Sequence, residues 1–176
     1  MVKKRTLVGA NVAHFVTFST YGKRRLLSTA AARDMVIFSL DCLARADRVK
    51  VAGFVIMPDH VHALLWFDDD RNLANVMNVW KSSSSKRLGK LYCEHIPGML
   101  DHLAKTRDGR SRRSFWQSRY HDFNLVGPDK AREKLVYMHN NPVKKGLCKD
   151  AGDWRWSSYR WYFHDEDVGV KLSTFF

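Results

Sequence analysis

The sequence predicts an α+β fold: a small antiparallel sheet with helices packed on it, of the split-βαβ or ferredoxin-like kind. Three observations predict it. Alternating runs rich in Val, Phe and Thr read as strands, and apolar residues spaced by three and four mark helices between them. The coarse order is then strand, helix, strand, strand, helix, strand, helix. The chain has 176 residues, enough for one domain with a sizeable core. It is read as a single domain over 1–176, with 163–176 as a C-terminal tail.

In order, "AHFVTFSTYG" (13–22) alternates and reads as a strand. Thr29 caps a helix from about 30 to 46, with Met35, Ile37, Phe38, Leu40, Cys42 and Leu43 as its apolar contacts. "VKVAGFVIM" (49–57) is the second strand; Pro58-Asp59 is a turn signal, and "HVHALLWF" (60–67) returns antiparallel to close a hairpin. Asp68, Asp69 and Asp70 form a solvated loop before a helix whose core face is Leu73, Val76, Met77 and Trp80. "AKTRDGRSRR" sets Lys105, Arg107, Arg110, Arg112 and Arg113 against Asp108 and reads as a mobile basic loop. "FWQSRYHDFNLV" (115–126) is a further strand. The next helix opens at Pro128 or Asp129 and stops before Pro142.

Charge narrows the partner. Lys plus Arg number 30 and Asp plus Glu 18, a formal balance of +12. Such an excess points to a polyanion, nucleic acid first, because neutralised phosphates release counterions. Three separated cysteines with no CxxC spacing suggest neither a zinc ribbon nor a disulfide framework. No run reaches the roughly 18 apolar residues of a membrane span, so a soluble cytoplasmic protein with no membrane partner is expected.

Two places carry chemistry. In "HVHALLWF" the even positions put His60 and His62 on one face, while Val61, Ala63 and Leu65 face the core. Neighbouring imidazoles can share a divalent cation; as a short pattern, they can equally be surface histidines of a hairpin. On the helix near residue 130, Tyr137 and Asn141 are four apart and share a face, and Lys130 and Lys134 extend that stripe. Ala131, Leu135 and Met138 form the adjacent apolar stripe. Asn141 can complete a metal's ligand set and Tyr137 can be a nucleophile, or the two can be a helix C-cap and a core edge.

The segments "GFVIMPDHVHALLW", "FWQSRYHDF", "YMHNNPVKKGL" and "DWRWSSYR", in this order, resemble the single-tyrosine HUH transposases of the insertion-sequence-200 type, most like the REP-associated tyrosine transposases. The resemblance runs from about Val12 to Tyr162. It departs in having Met138 where Ile is common and Arg155 where Pro is common. It implies an HUH endonuclease version of the ferredoxin-like fold. His60 and His62 would be metal ligands, Asn141 the third ligand and Tyr137 the nucleophile. The implied activity is Mg²⁺- or Mn²⁺-dependent cleavage of single-stranded DNA and strand transfer through a covalent 5′-phosphotyrosine.

The implied partner is single-stranded or hairpin DNA, with the protein acting as monomer or homodimer. Lys81, Lys86, Arg87, Arg112, Arg113, Arg119, Lys130, Lys134, Lys144 and Lys145 are the expected DNA contacts. Two other readings stay in view. A rolling-circle replication initiator or relaxase would share the chemistry, and a nucleic-acid-binding regulator would keep the fold without catalysis.

Overall fold

The computed structural model describes residues 12–67, 72–95, 104–107 and 110–174. Four strands, β1 (Val12–Ser19), β2 (Lys50–Ile56), β3 (His60–Trp66) and β6 (His121–Val126), form one sheet in the order β2-β3-β1-β6. Every neighbouring pair is antiparallel. This is the ferredoxin-like arrangement, with β3 inserted between β1 and β2. A separate ribbon pairs β4 (Ala104–Arg107) with β5 (Arg110–Arg113).

Helices cover both faces. α1 (Ala30–Arg45) and α2 (Leu73–His95) pack on one side, where Val16, Phe18, Val61, Ala63 and Leu65 meet Val36, Leu40, Met77 and Trp80. On the other, α3 (Pro128–His139) brings Ala131, Leu135 and Met138 down on Ala13, Phe15, Val55 and Leu64. The even face of β3 is therefore polar only at its His60 end.

The predicted caps and stripes are present. The Thr29 hydroxyl accepts the Ala32 N–H at 3.2 Å, and Leu73, Val76, Met77 and Trp80 are all buried. On α1, Phe38 is half exposed and Cys42 exposed, so that helix's core stripe is narrower than expected. No helix among the described residues is long and apolar enough to cross a membrane. Asp68, Asp69 and Asp70 lie outside the described residues.

Two expectations are corrected. The basic stretch after Lys105 is a two-stranded ribbon with Arg107 opposite Arg110, not a loop. The Asp108-Gly109 dipeptide, itself outside the described residues, is a strong hairpin signal in the sequence. The strand expected over 115–126 begins only at His121. Before it, Trp116 makes only a lone antiparallel bridge with Thr20, packs edge-on against Phe18 at 4.7 Å and donates its indole N–H to Ser84 Oγ at 3.0 Å.

β2 carries a bulge between Val51 and Gly53. The extra residue makes Ala52 and Gly53 both face α3, re-aiming the strand. A Cβ on Gly53 would sit 2.4 Å from Leu135 Cδ2 and 2.6 Å from Met138 Cε. Glycine here is what lets α3 lie close on the sheet. Gly53→Ala should cost about 1–3 kcal/mol by overpacking, read as a lowered urea midpoint.

The C-terminal segment braces the outer edge of β2. Ile56 N–H donates to Trp156 O and Ser158 N–H to Phe54 O. Trp154 donates to Ile56 O at 3.1 Å, and the Tyr162 hydroxyl to Ala52 O at 2.6 Å. The short helices α4 (Asn141–Lys144) and α5 (Tyr159–His164) belong to this region. Val168 and Val170, in the stretch read as a tail, are buried in the α1 layer.

Candidate active site

Alternation on β3 turns His60 and His62 to the same side, beneath the C-terminal end of α3. Thr17 of β1 is the register partner of His62. Its Oγ1 lies 2.7 Å from His62 Nδ1, and Asn141 Nδ2 lies 2.9 Å from His62 Nε2. With the amide donating, Nε2 accepts, and the ring proton resides on Nδ1 and donates to Thr17. His60 Nδ1 is 2.7 Å from Asp59 Oδ1, which leaves its Nε2 free for the cleft. The two imidazoles lie 4.8 Å apart, and Phe15 stacks on His62 at 5.4 Å.

Burial, reinforced by neighbouring His60 and only partly opposed by Asp59, lowers the His62 pKa to about 3. A neutral imidazole is the form that binds a metal ion. Among the described residues no cluster of three His, Cys, Asp or Glu side chains could hold a metal; the candidate donors are two imidazoles and the Asn141 amide, whose nitrogen here faces the His62 Nε2 lone pair that a metal would need. Each Nδ1 is tied to an oxygen, the outer contact that orients a ligating imidazole. With the amide turned to present its oxygen, this mixed nitrogen and oxygen set would suit Mn²⁺ or Mg²⁺.

Tyr137 projects from α3 with its ring 5.8 Å from that of His62 and 6.1 Å from that of Phe15. It is 42% exposed. The ammonium groups of Lys134 and Lys144 lie 5.7 and 5.3 Å from its ring centroid. Tyr137, Lys144 and the two histidines border a cleft of about 540 Å³, to which Lys23, Gln117, Arg119, His121 and Lys145 add polar walls.

The fold therefore gathers His60, His62, Tyr137, Asn141, Arg119, Lys144 and Lys145 around one cleft, with Lys134 beside it. Asn141 arrives by a small break: α3 ends at His139 and α4 begins at Asn141. Pro142 explains it, having no N–H to continue the ladder.

The other basic residues disperse. Lys130 is exposed in the first turn of α3. Lys81 is spent on the carbonyls of Gln117 and Ser118 at 2.7 and 2.9 Å, tying α2 to the segment that walls the cleft. Lys86 and Arg87 sit on α2, across the sheet from α3, with Arg87 stacked 4.4 Å over Phe38. Arg112 and Arg113 lie on the β5 backbone.

Sequence reasoning missed Thr17, Phe15, Lys23, Gln117 and the role of Asp59. Only Asp59 left a signal, being next to His60. The others depend on register.

His62 and His139 are both buried neutral, His139 with its pKa lowered by burial to about 4. Their neighbours are His60, Asp59 and Tyr137 for the first, and Tyr159 and Tyr162 for the second. The unfolded chain protonates both near pH 6.5, so it binds more protons than the native state as pH falls below that value. Stability is lost from there down toward the folded values, by about 2 kcal/mol for each histidine at pH 5. Urea midpoints at pH 7 and pH 5 in chelator check this; equal midpoints would refute it.

Residues 9–141 match the family described as "Transposase IS200 like". A Haemophilus influenzae protein named for the REP-associated tyrosine transposases is 29% identical over 112 residues, 62% of this chain and 58% of that protein. The chain thus matches little more than half the length of that relative. A solved structure of a REP-associated tyrosine transposase bound to a REP hairpin superposes with a TM-score of 0.70 at 17% identity. The superposition covers 98% of this chain and 93% of that one, and shows a shared fold.

Proposed function

Because the chain belongs to the IS200-like transposase family, we propose that it cleaves one DNA strand and transfers it through a covalent 5′-phosphotyrosine on Tyr137. The observation that carries this reading is the approach of the Tyr137 ring to within 5.8 Å of the His62 ring inside a single chain. One subunit supplies every group, so a monomer is sufficient. The chain acts as one domain, since the segment beyond residue 154 packs on the same sheet. DNA as substrate implies cytoplasmic work.

The Tyr137 oxygen attacks the scissile phosphorus, the bond to the 3′ oxygen breaks, and the phenol proton ends on the released 3′-hydroxyl. One phosphodiester replaces another. The step is nearly isoenergetic, and attack by a different 3′-hydroxyl transfers the strand without ATP. His60, His62 and Asn141 would hold Mg²⁺ or Mn²⁺, which when bound acts as a Lewis acid on a phosphate oxygen. Lys134 and Lys144, flanking the phenol, set positive charge where the phosphate carries its negative charge. Arg119 and Lys145 on the cleft wall hold backbone phosphates.

Hairpin DNA is the proposed substrate, by analogy with the REP hairpin bound in the matched structure. The test is incubation of the protein with Mn²⁺ or Mg²⁺ and a hairpin-bearing single-stranded oligonucleotide. An SDS-stable adduct is expected. Tight hairpin binding with no adduct would favour a regulator without catalysis.

A further inference from the structure

His139 is 4% exposed and takes no part in the chemistry above. It lies two residues from both Tyr137 and Asn141, facing away from the cleft. Its Nε2 is 2.8 Å from Ser158 Oγ. That hydroxyl also receives the Phe54 N–H of β2 at 3.0 Å, while Ser158 N–H donates to Phe54 O at 2.9 Å. Tyr159, Tyr162 and Phe163 pack around the imidazole with ring centroids 5.6, 5.9 and 6.4 Å away. Next to Phe54, Gly53 lies under Leu135 and Met138.

We propose that His139 and Ser158 form a clamp that sets the rotation and height of the Tyr137 helix over the histidine pair, making both positioning residues for cleavage. The inference rests on the reading of Tyr137 as nucleophile. Its geometry is a fixed point. β2 is hydrogen-bonded to β3, which carries His60 and His62, and Ser158 is bonded to the β2 backbone at Phe54. Apolar packing of Leu135 and Met138 is non-directional and tolerates a small rotation of the helix. A hydrogen bond of fixed length at its last turn does not. The segment containing Ser158 lies beyond residue 141, where the family match ends. Ser158 itself does not line the cleft, yet through His139 it aims two of the groups that do.

The test compares His139→Phe, His139→Gln and Ser158→Ala in the full chain. His139→Phe keeps the ring's volume and loses the bond. His139→Gln places an amide near the position of Nε2. At saturating hairpin oligonucleotide with Mn²⁺, His139→Phe and Ser158→Ala should each slow single-turnover adduct formation by about 10- to 100-fold, with hairpin Kd changed less than about twofold. The double variant should be no slower than the worse single one, and His139→Gln should recover most of the rate. If rates are unchanged, if Gln does no better than Phe, or if the two losses multiply, the clamp is wrong.

A second readout is independent of activity: the ¹⁹F spectrum of the protein with 3-fluorotyrosine at position 137 alone. One sharp line is expected, broadened or shifted by His139→Phe and Ser158→Ala and restored by His139→Gln. An identical line in all variants overturns the clamp. Absence of any adduct with wild type would instead sink the nucleophile assignment, leaving the ¹⁹F result to judge the clamp. If His139→Phe does not fold, Ser158→Ala carries both arms.

Discussion

Tyr137→Phe forms no SDS-stable adduct with hairpin DNA, a loss of at least about a thousandfold, while its hairpin affinity stays close to wild type. The substitution removes one oxygen and leaves the ring. The edge-on contacts with His62 and Phe15, at 5.8 and 6.1 Å, are contacts of the ring and survive. So does the placement of Lys134 and Lys144 over the ring face. The residue is 42% exposed, and stability should move by less than about 0.5 kcal/mol. Denaturing gels with end-labelled oligonucleotide read the adduct, and a filter or anisotropy titration reads the affinity. A Phe variant that still cross-links would move the nucleophile elsewhere. One that loses binding as well would make Tyr137 a DNA contact.

Replacing either histidine by alanine should abolish metal-stimulated cleavage alike, yet the two variants should differ in stability. Loss of a ligand from a three-donor set costs about 100-fold or more in activity, and chelation of wild type with EDTA should have the same effect. His62 is buried at 6% exposure between Thr17 and Asn141. Its removal opens a cavity and strands a hydroxyl and an amide, together about 2–4 kcal/mol. The His60 side chain is only partly buried and bonds to Asp59 at the hairpin turn, so its removal should cost about 1 kcal/mol. Adduct formation, Mn²⁺ titration calorimetry and urea midpoints together separate these effects. Metal-stimulated cleavage persisting in both variants would show the donor set to be misassigned.

The elements that carry the site were legible because their signals are local. His60-Val61-His62 states its own geometry once the segment is a strand, since alternation puts i and i+2 on one face. The Tyr137 to Asn141 spacing does the same for a helix, and the break at Pro142 shifts that face little. Trp116 was illegible. Its segment has strand composition, but pairing there shrinks to one bridge with Thr20, and the indole is held by Phe18 on the adjacent strand and Ser84 on the second helix. The placement of the basic residues was illegible for a related reason. Charge in a sequence carries no direction, so Lys81, bonded to two carbonyls, reads the same as Lys144, poised over the phenol.

By itself the sequence determined the three long helices and the hairpin of the second and third strands, the histidine pair and the phenol four residues before an amide. Each follows from a periodicity or an i-to-i+4 spacing within one segment. Only the tertiary structure decided that phenol and imidazoles meet within one chain, that Thr17 and Asp59 orient the imidazoles, and that His139 is tied to β2 through Ser158. Those facts depend on strand register and on the close approach allowed at Gly53, which arise between segments distant in sequence. The free energy that selects them belongs to the packed whole, and no segment shows it alone.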